Sequence, residues 1–286
     1  MAISLVLWVA DVPRVGAGLP EPRPLPEATP FLAAARARII AGEEAYVRFV
    51  HKERSTQVRF SPFARKGSGP PLLLEVFPSA DDELTYRRVI ERNGKPVTDV
   101  LEQDRKFRAR FEARQRQLSG ESTASRTARL DAEEKARARL EVALRDSLAL
   151  FTFSIDSRTT WEDEPAILVK FVPRPDGQPQ TREGRIVKSF AGRAWVHESD
   201  HELMHLEAEA IDDVSIGFGL IGRLNKGATV QFTRRPFRGT WLPSLTVFNG
   251  SGRVLLRPMD VAFRREYFDY DPYDPADLPA RLGWTR

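Results

Sequence analysis

The residues best placed to do chemistry are three histidines that lie close together in the chain. His197-Glu198-Ser199-Asp200-His201 matches the pattern His-Glu-x-x-His. In that pattern two histidines one helical turn apart bind zinc, and the glutamate activates a water molecule. His205 follows four residues later. A zinc hydrolase needs this segment to be a helix, so local structure decides whether the motif is functional.

The flanking residues predict a hairpin at these histidines. Residues 192–196 and 203–211 have strand compositions, and Ser199-Asp200 is typical of a turn. A two-residue turn would place His197 and His205 on opposite faces of the sheet, whereas a three-residue loop would place them on one face. We expect no catalytic metal site here, and a zinc hydrolase is kept as a minor alternative.

A second motif, Gly217-Phe218-Gly219-Leu220-Ile221-Gly222, matches the dinucleotide-binding fingerprint. That fingerprint requires a preceding strand, a following helix and an acidic residue about twenty positions later. A strand, not a helix, is predicted after this segment, and residues 239–241 (Gly-Thr-Trp) supply no acid. We therefore expect no cofactor.

The same segment combines flexible glycines with large apolar side chains. Packing in the core is one interpretation, and an apolar lip at the mouth of a cavity or a membrane-contacting loop is the other. The candidate ligand-binding residues on the lip are Val214, Ile216, Phe218, Leu220 and Ile221. Phe31 and Ile39, on a predicted covering helix, are the remaining candidates.

Composition limits the classes of function. Of the 286 residues 41% are hydrophobic and 29% charged, which is typical of a folded globular chain. The net charge of +4 is a small difference between 44 basic and 40 acidic residues. Both signs are interspersed in the most charged stretch, residues 98–148, so we expect no nucleic-acid partner. The absence of cysteine excludes disulfides and thiol chemistry.

Four consecutive segments are predicted along the chain, and one of them contains an insertion. Residues 1–18 contain an apolar run, which indicates either a truncated signal peptide or an apolar arm, and no transmembrane segment is expected. Residues 19–30 form a proline-rich linker. A single domain then covers residues 31–274, with a helical insertion at 98–148, and residues 275–286 form a C-terminal tail.

The elements predict a mainly β (α+β) fold: a large curved antiparallel sheet that forms an open half-barrel. An N-terminal helix begins at Thr29-Pro30 and ends at Gly42. Residues 98–118 and 127–148 form a charged helical hairpin. Residues 249–252 (Asn-Gly-Ser-Gly) are predicted to be a turn. Strands are predicted at 46–52, 56–60, 72–77, 84–91, 150–157, 167–173, 184–190, 194–197, 203–211, 228–234, 241–248, 253–256 and 261–270.

Several short stretches resemble a known family. They are residues 87–97 (Arg-Arg-Val-Ile-Glu-Arg-Asn-Gly-Lys-Pro-Val), 184–186, 192–196, 207–209, 211–212, 214–220, 226–227 and 241–243. The chain is similar in these stretches to exported outer-membrane lipoprotein-sorting-like proteins, the half-barrels of the LolA, LolB and RseB type. The resemblance implies a concave apolar sheet face, partly closed by helices, that holds a lipid or acyl chain.

The expected function is therefore that of a non-enzymatic protein of the periplasm or cell envelope that binds a lipid or an acylated lipoprotein. The location depends on residues 1–18 being a signal peptide; otherwise the chain is cytoplasmic. The alternative is an envelope interaction or signalling module whose barrel is filled by its own side chains. In that case the helices of residues 98–148 dock a protein partner.

Overall fold

The computed structural model describes most of the chain. The described residues are 23–60, 67–79, 84–120, 122–127, 131, 149–216, 222–254 and 257–284. Among them, no helix is both long and apolar enough to cross a lipid bilayer.

One antiparallel sheet contains all the strands of the described residues. Its central path runs in the order β5-β4-β3-β1-β14-β13-β12-β9-β8-β7-β6; β2 pairs with β1, and β10 pairs with β11, which in turn pairs with β13. The two ends of the path, β5 and β6, do not pair with each other, so the sheet is open. The strands are β1 (Phe49–Phe60), β2 (Gly67–Ser68), β3 (Leu72–Phe77), β4 (Tyr86–Arg92), β5 (Lys95–Pro96), β6 (Phe151–Trp161), β7 (Glu164–Pro173), β8 (Phe190–His197), β9 (Leu203–Ala210), β10 (Val214–Ile216), β11 (Gly222–Leu224), β12 (Thr229–Phe237), β13 (Thr240–Val254) and β14 (Arg257–Pro272).

This architecture confirms the predicted fold class, an open half-barrel with an N-terminal helix. The helices whose bounds the described residues give include α1 (Ala28–Tyr46), α2 (Val100–Ser119) and α3 (Arg182–Val187). A 3₁₀ turn (Pro275–Asp277) and a short helix, α4 (Leu278–Arg281), come after β14.

The two long helices cover opposite faces of the sheet. Neighbouring residues of β1 show this, because adjacent side chains of a strand point to opposite sides. His51 hydrogen-bonds Tyr46 of α1, whereas Val50 packs in a cluster with Phe107 of α2. We call the α1 side the concave face and the α2 side the outer face.

The first helix of the insertion and the C-terminal residues pack together on the outer face. The predicted helix at residues 98–118 is present as α2, and its Phe107 stacks on Tyr86 of β4 with ring centroids 4.1 Å apart. Most of the second predicted helix, residues 127–148, lies outside the described residues. The sequence suggests a tail at 275–286, but Leu278 is buried in the same cluster and Trp284 packs against it. The domain therefore continues at least to Trp284.

Gly42 does not end the first helix, contrary to the sequence prediction. Helix α1 continues through it to Tyr46. A Cβ atom at Gly42 would overlap the buried guanidinium of Arg234. The glycine is thus a point of close approach between α1 and the sheet, and not a helix terminator.

Two other sequence predictions are wrong. A strand is predicted at residues 184–190, but α3 occupies 182–187, because the side chain of Thr181 accepts a hydrogen bond from the amide of Gly184 and caps a helix. A turn is predicted at residues 249–252, but they lie inside β13. The backbone of β11 passes so close to Gly252 that a side chain there would collide with the carbonyl of Arg223.

Candidate ligand-binding site

An apolar cavity of about 640 Å³ lies on the concave face, between α1 and the strands. Its size is within the range of about 300–1,000 Å³ that is usual for small-molecule sites. The lining residues are Leu32, Ala33, Ala35, Arg36, Ile39, Ala149, Phe151, Phe153, Val169, Phe171, Val187, Phe190, Ala194, Val196, Leu203, Leu206, Ala208, Val230 and Phe248. All but one of them are apolar.

Strand alternation explains why the wall of the cavity is apolar. On β6, Phe151 and Phe153 line the cavity while the intervening Thr152 is exposed. On β9, Leu206 and Ala208 also line the cavity. Since side chains along a strand alternate between the two faces, one run of alternating residues builds an apolar wall and a polar outer surface.

Helix α1 covers the cavity without filling it. Phe31 and Ala35 are buried against a cluster on β7 and β8 that includes Ile167 and Val196. Leu32, Ala33, Ala35 and Ile39 line the cavity. Alanine side chains are short, so the helix covers the space without filling it.

A polar cluster holds the C-terminal half of α1 on the sheet. Arg234 is buried beside Gly42, lies 3.3 Å from the carboxylate of Glu202 and donates a 2.6 Å hydrogen bond to the carbonyl of Trp241. Burial raises the pKa of Glu202. This ion pair separates the apolar cavity from a more polar part of the concave face.

His51 and Tyr46 form the second contact of this cluster. The Tyr46 hydroxyl and His51 Nε2 are 2.8 Å apart. His51 is only 1% exposed, and burial lowers its pKa to about 4. The histidine is therefore neutral at pH 7 and acts as a hydrogen-bonding partner of α1.

The candidate residues from the sequence fall into three groups. Ile39 lines the cavity, and Phe31 packs in the cluster beside it. Val214 is buried in β10, and Ile216 occupies the position in β10 that pairs with Gly222. The other three, Phe218, Leu220 and Ile221, lie outside the described residues.

Sequence reasoning does not identify most of the cavity wall. It assigns the aromatic residues Phe151, Phe153, Phe171 and Phe190 to strands or strand ends only. For Phe151 and Phe153 the signal is the alternation of phenylalanine with threonine and serine on β6. That alternation gives one face of a strand, but it does not show that helix α1 stands away from that face.

The histidine motif lies on a hairpin, as the flanking residues predict, and not on a helix. His197 ends β8, His201 is in the turn with φ of 59°, and His205 is in β9. A register shift between Trp195 and Val196 places His205 opposite Trp195, on the side that His197 also faces. His201 packs on Phe31 of α1, with ring centroids 5.0 Å apart.

The side chain of His205 is held in place by its neighbours in the fold. Its ring stacks on Trp161 with centroids 3.8 Å apart, and its Nδ1 is 2.8 Å from the hydroxyl of Thr233. Burial lowers the pKa of this histidine. Within the described ranges no group of three or more His, Cys, Asp or Glu side chains is arranged to hold a metal ion.

The dinucleotide fingerprint falls at residues 217–222, and 217–221 are outside the described residues. The next element in the chain is β11 (Gly222–Leu224), a strand that pairs with β13. The helix required for a dinucleotide site is replaced by a strand at this position.

A larger and more polar groove, of about 960 Å³, lies on the outer face. We call it the outer groove. Glu207 and Gln231, which line it, alternate along β9 and β12 with the cavity residues Leu206, Ala208 and Val230. The groove and the cavity are therefore separated by the thickness of one sheet.

No protein-family model and no curated protein matches the chain. Several solved structures match it. A LolA superfamily protein from Nitrosomonas europaea is 9% identical, over 92% of this chain and 99% of that chain, with a TM-score of 0.29. An outer membrane lipoprotein-sorting protein domain from Vibrio parahaemolyticus is 9% identical, over 88% and 97%, with a TM-score of 0.33. A DUF1329 family protein from Desulfovibrio piger is 7% identical, over 85% and 92%, with a TM-score of 0.27.

The first two of these carry the name of the group that the sequence resembles. At these identities and TM-scores they add nothing about activity. The function is therefore inferred from the geometry of the cavity.

Proposed function

We propose that this protein is a non-enzymatic lipid-binding protein that holds a lipid or an acyl chain in the cavity between α1 and the concave face. The observation that carries the proposal is the apolar cavity of about 640 Å³ with a single charged residue in its lining. Catalysis requires polar groups that converge on a reacting atom, and this lining offers a surface for hydrocarbon.

The energetics suit an acyl chain. Each methylene group moved from water into an apolar site contributes about 0.8 kcal/mol. Phenylalanines from β6 and β7 meet aliphatic side chains from β8 and β9 around the cavity. Because the wall is built on paired strands, it is formed before a ligand arrives, which lowers the entropic cost of binding. No cofactor is needed.

Residence in the periplasm or cell envelope is part of the same proposal. It depends on the sequence resemblance and on the apolar run within residues 1–18. The alternative, an interaction module with a self-filled barrel, is not favoured, because the concave face keeps an open cavity. Docking of an envelope protein, or of an acylated lipoprotein, through the 98–148 insertion is compatible with lipid binding.

A cavity-filling variant tests the proposal. Ala194 lines the cavity on β8, and Ala194→Phe would place a phenyl ring in space that several methylene groups of a ligand need. We expect binding of a fluorescent acyl-chain probe to weaken about tenfold or more. Ser154→Phe is the control, because it adds the same ring at an exposed position of β6. Equal affinity of both variants and the parent chain would show that the cavity is not the site.

The apolar lip is a separate element of the proposal. Replacing Phe218 and Leu220 with serine should weaken capture of the same probe while leaving the circular dichroism spectrum unchanged. Unchanged capture would remove the lip from the site, without affecting the assignment of the cavity itself.

A further inference from the structure

We propose that the ligand of the cavity is a single-chain lipid carboxylate, a long-chain fatty acid, and that Arg36 pairs with its headgroup. This inference rests on the proposed function, because it needs an acyl chain in the cavity. It adds the headgroup chemistry and names the residue that selects it.

The first observation is that the charge of the cavity is not balanced. Arg36 is the single charged residue among those that line it, and no acidic side chain is in the described lining. Arg36 forms no ion pair or hydrogen bond with any residue that the structure describes. A guanidinium beside an apolar lining is a partner for an anionic ligand group, and the described lining contains no acidic side chain that would compete for it.

The second observation is the position of Arg36 on α1. It lies one turn after Leu32 and one turn before Ile39, both of which line the cavity. Arg36 is half-buried, which is typical of arginines whose aliphatic stem lies along apolar surface and whose guanidinium stays in water. This arrangement suits a ligand whose tail is buried and whose headgroup stays at the mouth.

Two other arginines of this region lie near Glu202 and not in the described cavity lining. Arg234 is paired with Glu202 and with the carbonyl of Trp241. The charge of Arg38 lowers the pKa of Glu202 against the effect of burial, which places Arg38 on the side of α1 near that pair. Arg36 is therefore the arginine of the described lining that is placed to meet the ligand.

The lining also selects among headgroups. A carboxylate matches the two parallel donors of a guanidinium and neutralises its single charge. The ammonium group of a zwitterionic lipid would find no acidic partner in the described lining. A neutral headgroup would leave Arg36 unpaired beside the hydrocarbon chain.

The test compares ligands that share one chain length. Palmitic acid, hexadecanol, lysophosphatidic acid and lysophosphatidylcholine compete with the fluorescent acyl-chain probe for the parent chain, Arg36→Gln and Arg38→Gln. Arg38 is exposed on the same helix and does not line the cavity, so it is a matched control. Circular dichroism checks that all three proteins are folded.

We expect the parent chain to bind palmitic acid about ten- to a hundredfold more tightly than hexadecanol. This ratio corresponds to the usual free energy of a hydrogen bond to a charged group. Arg36→Gln should remove this preference by weakening acid binding and leaving alcohol binding unchanged. Arg38→Gln should retain it. Arg36→Lys should retain part of it, because the charge remains and the planar fork is lost.

The outcomes separate this inference from the proposed function. If neither acid nor alcohol displaces the probe, the lipid-binding function fails. If both bind equally, or if Arg36→Gln keeps the preference, the headgroup assignment fails while lipid binding stands. Tighter binding of lysophosphatidic acid or lysophosphatidylcholine than of palmitic acid would overturn the choice of a carboxylate.

Discussion

The two faces of the sheet differ in how their charged groups are satisfied. In the outer groove, acidic and basic side chains neutralise one another: Arg235 with Glu162 at 2.6 Å, Arg193 with Glu207 at 2.8 Å, and Arg264 with Glu266 at 3.0 Å. In the concave cavity, apolar side chains meet empty space and Arg36 has no counter-ion in the described chain. The charged side chains that line the larger groove are paired, whereas the charged side chain that lines the smaller cavity has no counter-ion among the described residues. This unbalanced charge, more than volume or polarity, distinguishes the proposed ligand site from the outer groove.

The largest expected effect comes from placing a charged side chain, of the kind found on the outer face, on the apolar concave face. Val169 is 2% exposed on the concave side of β7, and its neighbour Lys170 is exposed on the outer side. Val169→Asp buries an unpaired carboxylate, so we expect the free energy of unfolding to fall by about 3 kcal/mol or more in urea titrations. Lys170→Asp should cost about 1 kcal/mol or less, through loss of its pair with Asp156.

Should Val169→Asp fail to fold, Val169→Thr is measured in its place. It adds one buried hydroxyl at nearly constant volume, and we expect a loss of about 1–3 kcal/mol. A cost equal to that of Lys170→Asp would show that the two faces are equally tolerant of polar groups, and the comparison would be wrong.

The second effect concerns the polar boundary of the concave face, at His51. Its pKa is lowered to about 4 by burial, whereas an unfolded histidine titrates near 6.5. Between these values the unfolded chain binds more protons than the native one, so the free energy of unfolding decreases as the pH falls from about 6.5 to 4. At pH 5 this one residue should reduce stability by about 2 kcal/mol relative to pH 8.

Urea titrations at both pH values, on the parent chain and on His51→Gln, check this. His51→Gln should lose the His51 component of the decrease. His205, whose pKa is also lowered, contributes in the same direction in both proteins and cancels in the comparison. An identical pH dependence of the two proteins would mean that His51 is not buried as a neutral partner of Tyr46.

A third and smaller effect tests the close contact of α1 with the sheet. Alanine usually stabilises a helix interior by about 1 kcal/mol relative to glycine. At Gly42 the added methyl group would displace the guanidinium of Arg234, and such overpacking costs about 1–3 kcal/mol. Gly42→Ala should therefore destabilise the chain by about 1 kcal/mol. In an Arg234→Met background the same substitution should be stabilising, and an unchanged sign would show that Arg234 is not the obstacle.

The fold is largely predictable because its signals are local. Runs of β-branched and aromatic residues mark the strands, and apolar residues at four-residue spacing mark α1. The errors occur where local and distant interactions disagree. Gly250 and Gly252 are typical of a turn in isolation, yet pairing with β11 and β14 keeps them in β13. At Thr181 the interaction that decides the structure is local. Its side chain accepts a hydrogen bond from the Gly184 amide and caps α3, where the composition predicts a strand.

The site is much less predictable than the fold. The sequence indicates Ile39 as part of a covering helix, and the structure places it in the cavity lining. Arg36, three residues earlier, is indistinguishable in the sequence from exposed Arg38. The two arginines differ through the rotation of α1 on the sheet, which depends on the docking of Phe31 and Ala35 against β7 and β8. No pattern within the helix itself contains that information.

The smallest effect is expected in the outer groove. Arg235 and Glu162 form two hydrogen bonds, of 2.9 and 2.6 Å, but both side chains are about half exposed. Water and salt screen such pairs, and their contribution is typically about 0–1 kcal/mol. Glu162→Gln should lower the free energy of unfolding by about 0.5 kcal/mol at low ionic strength, and by less at high salt. It should also leave binding of the acyl-chain probe unchanged, because the groove lies on the other side of the sheet. A loss of probe binding in Glu162→Gln, with the fold intact, would transfer the ligand site from the concave cavity to the outer groove.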